Sequence, residues 1–384
     1  MNNLIKAVIT ILVASIGYVQ PVNANNINNN DIKLNSDNFT LEGKKAKFTE
    51  YKGETSLLLN DASAAVNGIS FINGTIEYDV AFAEQRNFVG VKFRQQDSKN
   101  AEEFYIRPHQ SGNPDANQYT PVFNGLAAWQ LYHQGFAGKV NYNFDGWNHI
   151  KIIVAGKQGE VYINDMKKPA FSIAEFLRPT ESGSISFSSA RADAYIANVS
   201  IVKDDKPKTL SMPSLSSNSS DGSKLANYVS NWQISDSFSE EKLAKVIELN
   251  SQDMAKMKWQ TLHVDSYGIL NMARVQGVNK TSNTAFAQFS IDSNKAQTKA
   301  LHFGYSDKVR VFVNNTLVYA GNNSFRSRDY RYLGTIGLYD TVYLPLKAGK
   351  NDIIFVVSEQ FGGWGVMAKF DDCADIKPCI NDFE

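Results

Sequence analysis

A chain of 384 residues with only two cysteines, ten prolines and no net charge is defined first by what it lacks. Its 39 basic side chains are matched by 39 acidic ones, which excludes the basic surface that nucleic-acid binding requires. Beyond the first two dozen residues no stretch approaches the roughly 18 consecutive apolar residues of a transmembrane helix. Helix-period patterning is also scarce. It occurs once, around Ser239 to Glu248, where Ser237 and Glu240 have capping-box spacing. The cysteines, Cys373 and Cys379, have five residues between them and no histidine nearby. That favours a small terminal disulfide over two free thiols or half of a zinc site.

The chain begins with the pattern of a secretory signal peptide. Lys6 supplies a positive region, Ala7 to Val19 is mostly apolar, and Val22-Asn23-Ala24 offers small residues at the recognition positions for cleavage. Residues 1–24 are therefore expected to be removed and the mature protein to be secreted, periplasmic or displayed at the cell surface. No cysteine follows the apolar run, so anchorage through a diacylated cysteine is excluded.

What the chain has in abundance is short apolar alternation punctuated by Gly, Asn and Asp. Ile76, Tyr78 and Val80 share one face of a predicted strand, as do Val89, Val91 and Phe93. Further runs lie at Phe104 to Ile106, Ala128 to Tyr132, His149 to Val154 and Tyr195 to Val202. The stretch from Asp204 to Lys224 carries Pro207 and Pro213, and from Ser211 to Ser223 seven of thirteen residues are serine; such a segment has little apolar surface to bury and is expected to be a linker. Beyond it the alternation resumes, for example at Thr284 to Ile291 and Asp352 to Val357. The predicted organisation is all-β, with two tandem antiparallel β-sandwich (jelly-roll) domains. The boundaries are a first sandwich over 31–203, a linker over 204–224, a second sandwich over 225–372 and a tail over 373–384.

The segment from Glu102 to Tyr132 concentrates planar polar and aromatic groups. Period two puts Phe104, Ile106 and Pro108 toward the core and Glu103, Tyr105, Arg107 and His109 on the other face. Arg94 follows the same parity beside Phe93, and Gln130 and Tyr132 oppose Trp129 and Leu131. A sugar offers hydroxyls in the ring plane and an apolar C–H face, which suits planar polar groups beside aromatic rings. Against this stands the common solvated face of an antiparallel sheet, for which Lys, Thr or Ser are cheaper than Arg, His, Tyr and Trp. The expected ligand-binding set, around one concavity of the first sandwich, is Arg94, Glu103, Tyr105, Arg107, His109, Gln118, Tyr119, Asn124, Gln130 and Tyr132. Were there catalysis, Glu103, His109 and Asp115 are the candidates, with His109 the group expected to titrate.

Gly74 to Val80, Phe104 to His109 and Trp147-Asn148-His149-Ile150-Lys151 resemble the concanavalin-A-like (laminin-G-like) jelly roll, and within it bacterial exported domains akin to the 3-keto-disaccharide hydrolase domain. The resemblance covers roughly Asp37 to Lys203 and implies fold more strongly than activity. Jelly-roll endo-glucanases carry Glu-x-Asp-x-Glu on one strand, whereas here Glu77-x-Asp79-x-Ala81 lacks the third acid. From Ala300 the chain resembles the galactose-binding-like jelly roll. The residues that carry this are Phe303 to Asp307, Val309 to Asn315, Leu344 to Asn351 and Gly362-Gly363-Trp364-Gly365. That likeness implies a structural calcium, for which Asp307, Asp329 and Asp340 are candidates, although no compact ligand loop is visible. In the same half, Phe325 to Tyr332 packs three arginines and three aromatics into eight residues. This loop either faces a ligand, through Arg326, Arg328 and Asp329, or makes interdomain contacts or a set of internal Arg–Asp pairs.

The expected function is carbohydrate binding. An enzyme acting on a glycan or keto-glycoside is the alternative, disfavoured by the incomplete acid triplet. A structural or adhesive surface role is the third.

Overall fold

The computed structural model describes residues 31–209, 225–328 and 333–378. The predicted leader and most of the linker lie outside the described residues, as do Asp329 and Cys379, and with Cys379 the expected disulfide. No helix among the described residues is long and apolar enough to cross a membrane.

The first half is a sandwich of thirteen strands: β1 (Phe39–Tyr51), β2 (Glu54–Val66), β3 (Gly74–Phe82), β4 (Phe88–Asp97), β5 (Asn100–Ile106), β6 (Asn117–Phe123), β7 (Leu126–Ala127), β8 (Ala137–Gly138), β9 (Asn148–Ala155), β10 (Gln158–Ile163), β11 (Phe171–Ile173), β12 (Ser184–Ala190) and β13 (Ala194–Lys203). All pairings are antiparallel. β2 belongs to both layers: Leu57 to Leu59 pair with β13, whereas Ala62 to Ala65 pair with β12. The change of partner occurs across Asp61, which has a φ of 45°. One layer runs β11-β10-β9-β3-β13-β2 and the other β2-β12-β4-β5-β6-β7. Alternation explains the packing. Ile76, Tyr78 and Val80 of β3, Val91 and Phe93 of β4, and Phe104 and Ile106 of β5 are all buried between the layers.

The second half builds a separate core from a seven-stranded sheet, including Asn231–Ser235, Thr284–Ser293, Lys308–Val313 and Gly349–Ser358, and a four-stranded sheet, including Gln297–Ser306 and Gly365–Phe370. Trp232 and Trp364 are fully buried in it. Asn314 and Asn315, both at positive φ, form the two-residue turn joining Lys308–Val313 to Thr316–Asn322, as expected of that pair. Two expectations are corrected. The helix around Ser239 to Glu248 is only a 3-10 turn, Glu240–Leu243; Ser239 precedes it without a side-chain cap, and Ser237 instead bonds Ser282. The strand at Ala128 to Tyr132 is a turn in which the amides of Leu131 and Tyr132 both donate to the Ala128 carbonyl.

That turn joins the two sandwiches, and Gln130 is its pin. The Gln130 amide donates to the Gly362 carbonyl (2.7 Å) and its carbonyl accepts from the Ile336 amide (2.9 Å). Its side-chain Nε2 donates to the Leu333 carbonyl, and its Oε1 accepts from the Ser306 hydroxyl. The close approach requires glycine: a Cβ on Gly362 (φ +107°) would lie 2.1 Å from Gln130 Oε1, and one on Gly334 (φ +77°) 2.3 Å from its Nε2. Tyr132 donates to Asp265 and Asn124 to the Ala273 carbonyl, tying the same edge to the second sandwich.

Candidate functional site

A row of paired residues crosses the outer face of one layer of the first sandwich: Ser188 of β12, Gly90 of β4, Tyr105 of β5 and Gln118 of β6. Gly90 leaves the floor open, since a Cβ there would press on Tyr105 Cβ at 3.2 Å. Over this floor lies a cavity of about 540 Å³, within the size range of small-molecule sites. One wall carries Glu103, Tyr105, Arg107, His109 and Asp115; Arg86, Phe88, Trp129 and Arg191 add to the rim from the same sandwich. The remaining wall comes from the other sandwich as Phe325, Arg326, Leu333 and Phe361.

Arg107 is the best-positioned group. Its Nη1 donates to the Asp115 carbonyl (2.8 Å), and its Nη2 donates to Gln118 Oε1 (2.8 Å) and to the Tyr105 hydroxyl. Gln118 is itself held from below, its Nε2 donating to the carbonyls of Trp129 and Tyr132. The guanidinium lies over the Tyr105 ring and within 5.8 Å of the Trp129 centroid. Three of its five N–H donors are therefore used, all on neutral acceptors, and two remain.

The titrating groups here are biased toward neutrality. Burial pushes the Glu103 carboxyl above its usual range, opposed by Lys92. Burial, then Arg86 and Arg107, lower His109, so its ring is neutral at pH 7. His109 Nδ1 is buried without a hydrogen-bond partner, and the ring meets Phe88 edge-on at 5.4 Å.

The structure thus gathers Glu103, Tyr105, Arg107, His109 and the catalytic candidate Asp115 on one cavity, with Gln118 beneath them. It does not bring the other expected residues there. Arg94 sits at a β-bulge with φ 45°, where the β4–β5 register shifts. The bulge breaks parity and turns its guanidinium inward, onto the carbonyls of Ile72 and Gly156 and over the Phe176 ring. Tyr119 faces the core and donates to the buried Glu102 at 2.7 Å. Asn124, Gln130 and Tyr132 are spent on the junction between the sandwiches. The turn at Ala128 reverses the expected parity, so Trp129 faces the cavity and Gln130 does not. Arg328 pairs with Asp340 and with the Tyr305 hydroxyl, which leaves Arg326 as the loop's contribution. Among the described residues no group of three His, Cys, Asp or Glu is placed to hold a metal ion; Asp340 is committed to Arg328, and Asp307 accepts from the Gln360 amide.

Arg86, Phe88, Arg191 and Phe361 were not anticipated. Each lies at the end of a strand or in a loop, and only the closed topology brings them to the cavity.

The acid pair Glu77 and Asp79 lies elsewhere, on the outer face of the other layer. His149 bridges it, with Nδ1 2.7 Å from Asp79 and Nε2 3.3 Å from Glu77, while Lys151 and Asn198 complete the set.

No protein-family model matches the chain, and no curated protein matches it. Among solved structures, it is similar over 42% of its length to 93% of carbohydrate binding module CBM66 from Bacillus subtilis, at 17% identity and a TM-score of 0.34. It is similar over 45% of its length to 95% of a β-glucanase from Bacillus licheniformis, at 9% identity and a TM-score of 0.34. A family 35 carbohydrate binding module from an environmental isolate matches 25% of the chain over 71% of its own, at 20% identity and a TM-score of 0.20.

Proposed function

We propose that this is an exported protein that binds a saccharide in the cavity between its two sandwiches. The observation that carries the proposal is the pairing, in one 540 Å³ cavity, of ring faces with a fixed guanidinium that has donors to spare. Trp129, Tyr105, Phe88, Phe325 and Phe361 offer the apolar surfaces on which a sugar ring stacks. Arg107, clamped by Gln118 and the Asp115 carbonyl, keeps its Nε–H and one Nη1–H unbonded, two separate charge-assisted donors for ring oxygens. Because its partners already fix it, little side-chain entropy is lost on binding.

The test is a glycan array followed by calorimetric titration of the positives, with sugar-release assays run in parallel on the same preparation. Saturable binding that disappears in Trp129→Ala and Arg107→Ala, each still folded by circular dichroism, is the expected result. Binding that survives both substitutions would place the site elsewhere.

A further inference from the structure

Four arginines line the cavity, Arg86, Arg107, Arg191 and Arg326, against two carboxyl groups, those of Glu103 and Asp115. Their placement, resting on the saccharide reading above, carries it further. We propose that the ligand is an acidic saccharide, one bearing a carboxylate or a sulfate ester, whose anionic group is taken by Arg107 with Arg191 and Arg326 closing over it.

Three observations support this. First, none of the four arginines makes an ion pair with any described carboxylate. Arg107 donates only to neutral acceptors. Arg86 and Arg191 lie near the Phe88 ring, and Arg326 lies over Phe325. Asp61, which feels the Arg191 charge without forming an ion pair with it, is held by Lys44 and by the Arg191 backbone amide. Arginines ordinarily find carboxylate partners; several that converge on one cavity without an ion pair leave their charge for a ligand.

Second, Arg191 and Arg326 hold left-handed backbone, at φ 89° and 64°. That conformation costs an L-residue energy that glycine avoids, so arginine stands at both positions against backbone preference. Third, one of the two carboxyls that face the four arginines is muted: Glu103 is half-buried with Lys92 as its charged neighbour, and burial favours its protonated form.

The experiment uses the full chain and calorimetric titration with four probe sets: uronate trisaccharides, their carboxyl-reduced neutral counterparts, sulfated galactan oligosaccharides, and the desulfated forms. The expected result is at least a ~10-fold preference for one acidic set over its neutral counterpart, typical of a charged hydrogen bond, weakening as salt is raised. Which acidic set is preferred separates carboxylate from sulfate. Arg107→Gln should abolish the preference. Because Arg107 is buried and its loss could disturb folding, Arg191→Gly and Arg326→Gly provide a second readout. Each removes backbone strain, so thermal stability should hold or rise while the acid preference falls several-fold. Equal binding of acidic and neutral partners overturns the inference and leaves the saccharide reading standing. Failure to bind any saccharide, on the array or in the calorimeter, overturns both. An acid preference unchanged in all three variants overturns the assignment of these arginines.

Discussion

The first sandwich carries two polar clusters of nearly the same composition on its two outer faces, and they differ in every respect that matters for function. Glu77, Asp79, His149 and Lys151 pair with one another across β3 and β9; their side chains are between 18% and 38% exposed. Glu103, Arg107 and His109 sit on β5 and the turn after it, under a roof supplied by the second sandwich. Arg107 is 6% exposed, and no carboxylate neutralises it. Residue type does not separate the two clusters; burial and unsatisfied bonding capacity do. A saturated, solvated cluster has nothing left to offer a ligand. A buried one with spare donors is held in place at a cost in desolvation that a ligand's acceptors can offset.

The sharpest way to break this comparison is at two adjacent residues where β5 ends. Arg107→Ala is expected to lower saccharide affinity at least ~100-fold, because it removes charged hydrogen bonds worth roughly 1.5–3 kcal/mol each. Ile106→Ala, one residue away and wholly buried on the core side, should instead destabilise the fold by about 2–5 kcal/mol and leave the affinity of the folded fraction unchanged. Titration and chemical denaturation of both variants check the pair. An Ile106→Ala protein that folds normally but cannot bind would reverse the two faces.

A second test asks whether burial is the variable that matters, using carboxyls on the far side of the junction. Asp307 and Glu359 are both buried, each with one oxygen lacking a partner. Burial, the larger cause, lifts Asp307 to about 6. Burial and then the Asp307 charge lift Glu359 well above its ordinary range. A carboxyl whose folded pKa exceeds its unfolded one keeps a proton that the unfolded chain has lost. Stability is then full at low pH and falls as pH rises, for Asp307 between its ordinary 3.8 and about 6, and for Glu359 upward from its ordinary 4.5. Glu359→Gln, which removes the charge and keeps the shape, should raise stability at pH 8 by at least about 1.4 kcal/mol, the worth of one pKa unit, and by less at pH 5. Melting curves at the two pH values decide it; an equal shift at both would mean that ionisation is not the cause.

Much of this organisation was legible in the sequence, and the failures have identifiable causes. Period-two alternation located most of the strands and separated Glu103 and Tyr105 from Phe104 and Ile106, because a regular strand has no freedom to do otherwise; Arg107 and His109 reach the same cavity from the turn that follows β5. Where the backbone departs from regularity, parity failed. The bulge at Arg94 swung that side chain into the core, and the turn at Ala128 exchanged the roles of Trp129 and Gln130. The second sandwich's part in the site was visible only as an unusual Arg- and aromatic-rich loop, read as ligand-facing, as an interdomain contact or as internal Arg–Asp pairs. The structure shows Arg326 and Phe325 facing the cavity and Arg328 paired internally with Asp340, while Leu333, just beyond the loop, holds Gln130. Nothing local in the sequence marks Arg86, Arg191 and Phe361 as neighbours, since long-range topology alone joins them.

The smallest expected effect belongs to the solvated cluster, and its smallness is the point. Glu77 and Asp79 are the residues a carboxylate-pair search would choose as catalytic acids, and His149 between them looks like a relay. The geometry gives them a simpler role. His149 sits directly across from Asp79 in the β3–β9 register, and Lys151 directly across from Glu77, so these are cross-strand pairs on an open face. Such pairs contribute roughly 0.2–1 kcal/mol each. His149→Ala and the double change Glu77→Gln with Asp79→Asn should therefore shift stability by about 1 kcal/mol or less, less still in high salt, and leave saccharide affinity and any sugar release at the wild-type level. Both are measurable on the preparations already required for Arg107→Ala. A tenfold loss of binding in either variant would move the functional face of this sandwich to its other layer, and the cavity with its four arginines would then need another explanation.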